Sequence, residues 1–305
     1  MENKIEHFKP DFFVPGAAKS GTTTLHDLLN THHDISMSKD KEPVYWNNKL
    51  FRQFKLFEVS RYANLFEKNR KIKGESTTSY MYYDSFISNI KANFEYSPKF
   101  IFVLRNPVDR YISHVNWLKG LGLEKKDVNQ VINEDDWANF SEYDDYPKQY
   151  YQFGLYNKWI ARFIKNFGKQ NIKIITFEQL ISDRLKTLNS CYEFLGVEKV
   201  DNLKFVRSNK SKKIVFPFIY HFLRKSSVGK TKCTKIVKYV LPKKIREKIK
   251  GLLKYTLQNW IAVESKNNKI TFENRKILSK VYLEDVKLLS ETFKYDFSEW
   301  EDFKL

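Results

Sequence analysis

The chain has 305 residues, of which 42% are hydrophobic and 16% aromatic, and its formal net charge is +18. This apolar content is enough to bury a core and excludes a disordered chain, while no apolar run approaches the roughly 18 residues that span a bilayer. Two cysteines, Cys191 and Cys233, predict neither a disulfide framework nor a cysteine-based zinc site, and the opening MENKIEHFKPDFF lacks a signal-peptide pattern, so we expect a cytoplasmic protein.

Short β-rich runs alternate with helical patterns over the first two thirds of the chain. The pattern predicts strands at 12–16, 71–76, 99–105 and 171–178, and helices at 23–32, 107–118, 154–168 and 183–197. The run 99–105 is apolar almost throughout, which is typical of a strand covered on both faces of a parallel sheet. We therefore expect a single α/β domain over residues 1–305, with a central, mostly parallel sheet flanked by helices and sites at the carboxyl ends of its strands.

The last third of the chain is strongly basic. Residues 204–254 contain 17 Lys and Arg residues against the single acid Glu247, which accounts for 16 of the 18 net positive charges. We expect a basic, helical segment at about 204–260. A solvated helical face, a grip on an anionic acceptor such as an acidic glycan, and peripheral contact with an anionic membrane surface all remain open for it. The helical pattern at 277–293 predicts packing back onto the sheet through an apolar stripe of Ile277, Val281, Val286, Leu288 and Leu289.

A candidate anion site follows the first strand, where residues 14–25 read VPGAAKSGTTTL. Small residues at a strand–helix turn direct backbone N–H groups and the positive end of a helix to one point. Lys19 adds a mobile positive charge. The order differs from the nucleotide-binding pattern G-x-x-x-x-G-K-[ST], because Lys19 precedes Gly21 and no metal-binding acidic strand follows. A tight turn with a threonine N-cap is the structural alternative.

A second pattern follows the strand at 99–105. Arg105 ends that strand, Pro107 suits the first turn of the next helix, and Ser113 comes eight residues after Arg105. A planar guanidinium at a strand end offers a bidentate grip on a phosphate. Ser113, two turns into the helix, is expected to reach the same group.

These two segments, in this order, resemble the PAPS-dependent sulfotransferases, in particular the bacterial and glycan-type enzymes. The segments 41–46 (KEPVYW), 74–80 (GESTTSY), 194–197 (FLGV) and 296–300 (DFSEW) resemble further landmarks of that family. The resemblance implies an enzyme that moves the sulfuryl group of 3′-phosphoadenosine 5′-phosphosulfate (PAPS) to a hydroxyl or amine of a carbohydrate or polar metabolite. The products would be PAP and a sulfated acceptor, and this chemistry needs no metal.

The resemblance also implies roles for individual residues. Lys19 would stabilise charge on the departing nucleotide, and Arg105 and Ser113 would hold its 3′-phosphate. Lys210 and Lys212 fall where family members place a third cofactor-contacting loop. The 5′-phosphosulfate would be bound by the first loop, through Lys19, Ser20, Gly21, Thr22, Thr23 and Thr24.

Glu42 is the expected general base, because the family places the base of its glycan-type members at this position. Glu75 and Ser76 are expected near the acceptor, with Glu75 ordering the pocket and serving as a weaker candidate base. Heparan-type enzymes carry a lysine where this chain has Ser76, so their uronate-rich acceptors do not transfer directly. His114 is a further alternative base, although it should point about 100° away from Ser113 on the helix.

Other functions fit parts of the sequence. A small natural-product alcohol is the alternative acceptor. A nucleotide kinase would share the fold, yet it should show the G-K-[ST] order and metal-binding acids. A nucleic-acid- or membrane-binding protein would use the basic stretch, but no nucleic-acid reader motif is present, so a nucleic acid partner is not expected.

Overall fold

The computed structural model describes residues 7–47, 56–134, 148–203, 212–214, 262–264 and 269–304. Its tertiary contacts divide the chain into two compact units. The first contains Met1–Tyr111, Asp135–Ser208 and Phe272–Leu305, and the second contains Ile112–Glu134 and Asn209–Thr271. The single domain over residues 1–305 stays a prediction, while the α/β class is confirmed.

A five-stranded, all-parallel sheet forms the centre of the first unit, with strand order β2-β3-β1-β4-β5. From β1 the chain builds β2 and β3 on one side, and it then crosses to the other side for β4 and β5. Ligands of open parallel sheets bind where the strand order reverses in this way, at the carboxyl ends of the two strands concerned. Here these are β1 and β4. The strands are β1 Phe12–Gly16, β2 Ile35–Met37, β3 Ile72–Ser76, β4 Lys99–Leu104 and β5 Ile172–Thr176.

Helices cover both faces of this sheet, and the alternation of side chains along β1 explains how. Phe12 and Val14 pack in an aliphatic core with Leu25 of α1 and Leu188 of α8. Phe13 points to the opposite face, where its ring lies 5.3 Å from that of Phe86 in α3. The helices of the first unit are α1 Thr22–Leu29, α2 Leu56–Ala63, α3 Asp84–Asn93, the start of α4 Pro107–Gly120, α6 Tyr156–Phe167, α7 Phe177–Ser182, α8 Arg184–Leu195 and α9 Phe272–Phe293.

Pro15 interrupts the regular ladder of the central strand β1. A proline has no N–H to donate, so within a sheet it requires an edge or a bulge. The register between β1 and β4 shifts between Phe13 and Gly16, which pair with Phe100 and Phe102. Ile101 of β4 therefore lies opposite two residues of β1, Val14 and Pro15, and the chain leaves the sheet into the following loop directly after this irregularity.

The second unit includes the rest of α4, the short helix α5 Val128–Ile132, and two strands, β6 Lys212–Ile214 and β7 Ala262–Glu264. β6 and β7 pair antiparallel, with Lys213 opposite Val263. The helical prediction for 204–260 is therefore wrong at 212–214. The remainder of that basic segment lies outside the described residues.

The last helix differs from the prediction in its buried face. Ile277 and Leu288 are 44% and 41% exposed, whereas Tyr282 is fully buried. α9 packs against α6, and Asp285 accepts hydrogen bonds from the backbone N–H groups of Asn157 and Lys158 at the start of that helix. The buried face of α9 consists of Leu278, Tyr282, Asp285, Val286 and Leu289. None of the helices in the described ranges has the length and apolar character needed to cross a bilayer.

Candidate active site

Two hydrogen bonds fix the loop between β1 and α1, which leads into the positive, N-terminal end of α1. The N–H of Ala17 donates to the carbonyl of Val103 in β4 at 2.8 Å, and that of Ala18 donates to the Tyr82 hydroxyl at 3.3 Å. Gly21, with φ 91°, is the N-cap of α1 and makes no side-chain cap. The threonine cap considered from the sequence is therefore not what ends this loop, and the first N–H groups of α1 face the point where an anion would bind.

The predicted ligands of this loop differ in how accessible they are. Ser20 is fully buried, and Thr22 is 4% exposed. Lys19, Gly21 and Thr24 are partly buried, whereas the side chain of Thr23 is exposed. The structure thus brings the residues of this loop together at the start of one helix. Because their side chains are buried, Ser20 and Thr22 would bind an anion mainly through their backbone N–H groups.

Three cationic side chains lie close enough to Lys19 to affect the pKa of its ammonium. Burial, followed by the charges of Arg105, Lys41 and Arg110, lowers the pKa of its ammonium from 10.5 to about 8. Arg110 is fully buried, and its guanidinium donates to the carbonyl of Tyr150. Concentrated positive charge of this kind destabilises the ligand-free site by mutual repulsion and stabilises a bound anion by attraction.

Arg105 lies directly after β4, at the crevice next to β1. Its carbonyl accepts a hydrogen bond from the Tyr156 hydroxyl at 2.8 Å, and its guanidinium lies 4.9 Å from the ring centroid of Phe177. Its Nε is buried and has no hydrogen-bond partner among the described residues. A buried N–H of this kind is expected to find an acceptor, and a phosphate oxygen is the acceptor that suits a guanidinium.

The remaining predicted cofactor ligands are Ser113, Lys210 and Lys212. Ser113 is partly buried in α4 and belongs to the second unit, as does the buried His114. Lys212 is part of strand β6, and Lys210 lies outside the described residues. Their roles stay predictions.

Glu42 is held at the edge of the site by three donors. One carboxylate oxygen accepts from the backbone N–H of Thr78 at 2.9 Å, and the other accepts from the Thr78 hydroxyl at 3.1 Å and from Lys41 Nζ at 2.7 Å. The N–H of Glu42 donates to the carbonyl of Ser76 at 2.9 Å. Its side chain is 37% exposed. This carboxylate is thus both oriented and accessible, which a general base requires.

Glu75, in contrast, is fully buried beneath this surface. Its carboxyl group accepts hydrogen bonds from the hydroxyls of Thr77, at 2.6 Å, and Tyr62. Its pKa is raised from 4.5 to about 7, because burial and, to a smaller extent, the charge of Glu42 outweigh the opposing effect of hydrogen bonds from Thr77, Tyr62 and Tyr80. These hydrogen bonds fix the Glu75 side chain at the end of β3. Its roles near the acceptor, ordering the pocket or serving as a base, stay predictions.

Ser76 is also buried, and its hydroxyl lies 3.0 Å from Nδ1 of His26. Burial and the charge of Lys41 lower the pKa of His26 to about 4, so its imidazole is neutral near pH 7. The pair joins β3 to α1 directly behind the first loop. An acceptor contact by Ser76 stays a prediction.

Several site residues were missed from the sequence. Arg110 and Thr78 fall inside recognised segments, but nothing in those segments shows that one guanidinium is buried beside Lys19 or that one threonine orients Glu42. Phe177 and Tyr62 reach the site only through tertiary packing. The contact between Lys41 and Glu42 could have been predicted, because the two residues are adjacent in the sequence.

Two curated proteins are similar to this chain in sequence. Carbohydrate sulfotransferase 15 of Rattus norvegicus is 23% identical over 254 residues, which cover 63% of this chain and 45% of that protein. Heparan sulfate glucosamine 3-O-sulfotransferase 3B1 of Homo sapiens is 25% identical over 205 residues, covering 67% of this chain and 50% of that protein. The chain therefore spans about half the length of these curated relatives.

A solved structure and a family model complete the comparison. The sulfotransferase from Alicyclobacillus acidocaldarius shares the fold, with a TM-score of 0.65 and 20% identity over 96% of this chain and 99% of that one. The family model for the sulfotransferase domain matches residues 9–290, nearly the whole chain. The chain therefore belongs to the sulfotransferase domain family.

Proposed function

We propose that this protein is a PAPS-dependent sulfotransferase that transfers a sulfuryl group to a hydroxyl or amine of a carbohydrate or polar metabolite. The observation that carries this proposal is that cationic side chains converge where the strand order of the sheet reverses. Lys19 follows β1 there, and Arg105 follows β4. Membership of the sulfotransferase domain family supports the same reading.

The residues at the two loops fit a donor with phosphates at both ends of its ribose. The loop 17–21 and the start of α1 would hold the 5′-phosphosulfate through backbone N–H groups. Arg105, with its buried Nε, would hold the 3′-phosphate. When bound, PAPS supplies the sulfuryl group, and Ser113 and the basic residues Lys210 and Lys212 are proposed as additional ligands.

Lys19 would stabilise the negative charge that grows on the departing nucleotide. Its ammonium has a pKa of about 8 and is therefore mainly protonated at pH 7. Preorganised charge in a partly buried site is worth more than the same charge in water, because no solvent has to reorganise during the reaction. Lys41, Arg105 and Arg110 add to this field.

Glu42 would accept the proton of the acceptor group. Its bonds to Thr78 and Lys41 fix the carboxylate plane before the acceptor arrives, and its partial exposure leaves a path to it. General-base assistance of this kind typically contributes about 10²–10⁴ in rate. Glu75 is unsuited to direct contact because it is fully buried.

A carbohydrate is the acceptor class we favour. Both relatives described above are named for carbohydrate or heparan sulfate acceptors, and the KEPVYW segment resembles glycan enzymes. Ser76 stands where heparan-type enzymes carry a lysine, and it is already bonded to His26. We therefore place less weight on a uronate-rich chain than on other glycans, and a small natural-product alcohol is the second acceptor to test.

Calorimetric titration with PAP, with ADP and AMP as controls, tests the donor. We expect PAP to bind more tightly than either control, because only PAP carries the 3′-phosphate that Arg105 would hold. Equal binding of ADP would contradict the proposal and favour a nucleotide kinase. Once PAP binding is established, incubation with PAPS and panels of glycans and small alcohols, read by mass spectrometry, identifies the acceptor.

A further inference from the structure

Phe177 lies beside Arg105 because of the register between β4 and β5. Leu104 pairs with Thr176, so Arg105 and Phe177 are the residues that follow the two paired strand ends. The guanidinium carbon of Arg105 is 4.9 Å from the ring centroid, within the range of a cation–π interaction.

The same ring also contacts the first phosphate loop. A Cβ placed on Gly21 would lie 2.5 Å from Cδ2 of Phe177, closer than side chains pack. Gly21 is the N-cap of α1, so the ring rests against the start of the helix that follows Lys19. One aromatic side chain thus joins the loop after β1 to the loop after β4.

The contact holds Arg105 without neutralising its charge. The neighbouring carboxylate, Glu178, accepts instead from the backbone N–H of Asn106 at 3.2 Å and from Trp300 Nε1 at 3.0 Å. Arg105 forms no salt bridge within the part of the chain that the structure describes. A carboxylate on the guanidinium would compete with a phosphate, whereas an aromatic face orients it and leaves its donors for a ligand.

We propose that Phe177, whose ring contacts both Gly21 and Arg105, is a positioning residue that fixes the Arg105 guanidinium for recognition of the nucleotide 3′-phosphate. This inference rests on the proposed function. Phe177 acts through Arg105, so its effect should depend on whether Arg105 is present.

Calorimetry with PAP on five variants of the full chain, among them Arg105→Ala alone and combined with Phe177→Leu, tests this dependence. Phe177→Leu keeps apolar bulk and removes the ring, and it should weaken PAP binding roughly three- to thirty-fold. Phe177→Tyr keeps the ring and should stay within about twofold of wild type, as should the exposed control Phe272→Leu, whose side chain is 77% exposed. In an Arg105→Ala background, Phe177→Leu should cause no further loss, measured by competition where direct titration is too weak.

The outcomes separate this inference from the function on which it rests. Wild-type affinity in Phe177→Leu overturns it, and so does an equal additional loss in the Arg105→Ala background, because a purely structural role predicts that loss. Failure of the wild-type protein to prefer PAP over ADP instead overturns the proposed function, and this inference with it, before any variant is compared.

Discussion

Lys19 and Glu42, the two residues predicted to act on the reacting atoms, both have left-handed backbone conformations, with φ of 70° and 59°. Val44 in the same loop as Glu42 has φ 56°. A non-glycine residue in this region costs about 1–3 kcal/mol and persists only where the surroundings fix it. For Glu42 the fixing contacts are its bonds to Ser76 and Thr78. Strain of this kind therefore accompanies the side chains whose direction matters most.

Replacement of Lys19 by methionine should abolish turnover while stabilising the ligand-free protein by about 1–3 kcal/mol. The native pKa, about 8, is below 10.5, so the unfolded chain holds this proton more tightly. The free energy of unfolding of wild type should therefore rise from pH 8 to 10.5 relative to that of Lys19→Met. Urea unfolding and PAPS turnover measure the two effects, with the exposed Lys68→Met as control. An active Lys19→Met protein would exclude the catalytic role.

Glu42→Gln should lower turnover by about 10²–10⁴ and leave PAP affinity within about twofold, because the amide keeps an acceptor for Thr78 but cannot take a proton. Steady-state rates and calorimetry give the two numbers. Glu67→Gln, which alters an exposed carboxylate paired with Arg70, is the matched control. If turnover survives in Glu42→Gln, His114 becomes the next base to test.

At the scale of the elements, two titratable groups at the carboxyl end of β3, Glu75 in the strand and His26 of α1 bonded to Ser76, make stability depend on pH in opposite directions. The native pKa of Glu75, about 7, is above its ordinary 4.5, so its ionisation lowers the free energy of unfolding as pH rises through that range. The native pKa of His26, about 4, is below its ordinary 6.5, so its contribution is lost as pH falls through that range. Of these two groups, only the ionisation of Glu75 still changes the free energy of unfolding between about pH 6.5 and 7.5.

Glu75→Gln should therefore be more stable than wild type above pH 7, by about 1–3 kcal/mol, and close to it at pH 5. The amide resembles the protonated acid and can accept from Thr77 or Tyr62. Urea unfolding at pH 5 and pH 8 measures the difference. The same stability gap at both pH values would show that packing, and not ionisation, separates the two proteins.

The C-terminal turn anchors the loop that carries Arg105. Asp302 accepts from Arg275 Nε at 2.8 Å and from the Asn106 amide at 2.7 Å, and Arg275 also contacts Asp109 at 2.9 Å. Asp302→Ala should cost about 1–3 kcal/mol of stability and also weaken PAP binding, because Asn106 loses its support. Unfolding and calorimetry test both effects. Glu301→Ala, an exposed change in the same turn, should alter neither.

The elements also show why sequence predicted some features and not others. β1 was predicted at its observed bounds because a short apolar run ends at a glycine and a helical pattern follows. β2, with three residues, is too short to leave a pattern, and α2 was not predicted. The buried face of α9 was predicted only in part: Val286 and Leu289 are buried as expected, whereas Ile277 and Leu288 are exposed. Tyr282 and Asp285 are buried by their contacts with Tyr151 and α6, which hydropathy cannot reveal.

For the whole molecule, parallel topology explains why the site could be predicted at all. Lys19, Arg105 and Glu75 follow or end strands, and parallel strands direct their carboxyl ends to one edge. The sequence therefore predicted which segments meet. It did not predict the burial of Arg110, the donors to Glu42, or the ring of Phe177 between two loops, because these depend on rotamers and on helix packing across the sheet.

The distribution of charge over the chain predicts how activity depends on salt. Most of the net charge of +18 lies in residues 204–254, whereas PAPS would be bound by the partly buried Lys19 and Arg105. Salt screens charges in water over about 10 Å at 0.1 M, and partly buried charges such as those of Lys19 and Arg105 less. For an acidic glycan acceptor, we expect the acceptor KM to rise several-fold between about 50 and 300 mM NaCl, and the KM for PAPS to rise less. A neutral acceptor serves as control. If the KM for the acidic acceptor does not change with salt, the basic segment does not bind the acceptor and is instead assigned to a solvated face.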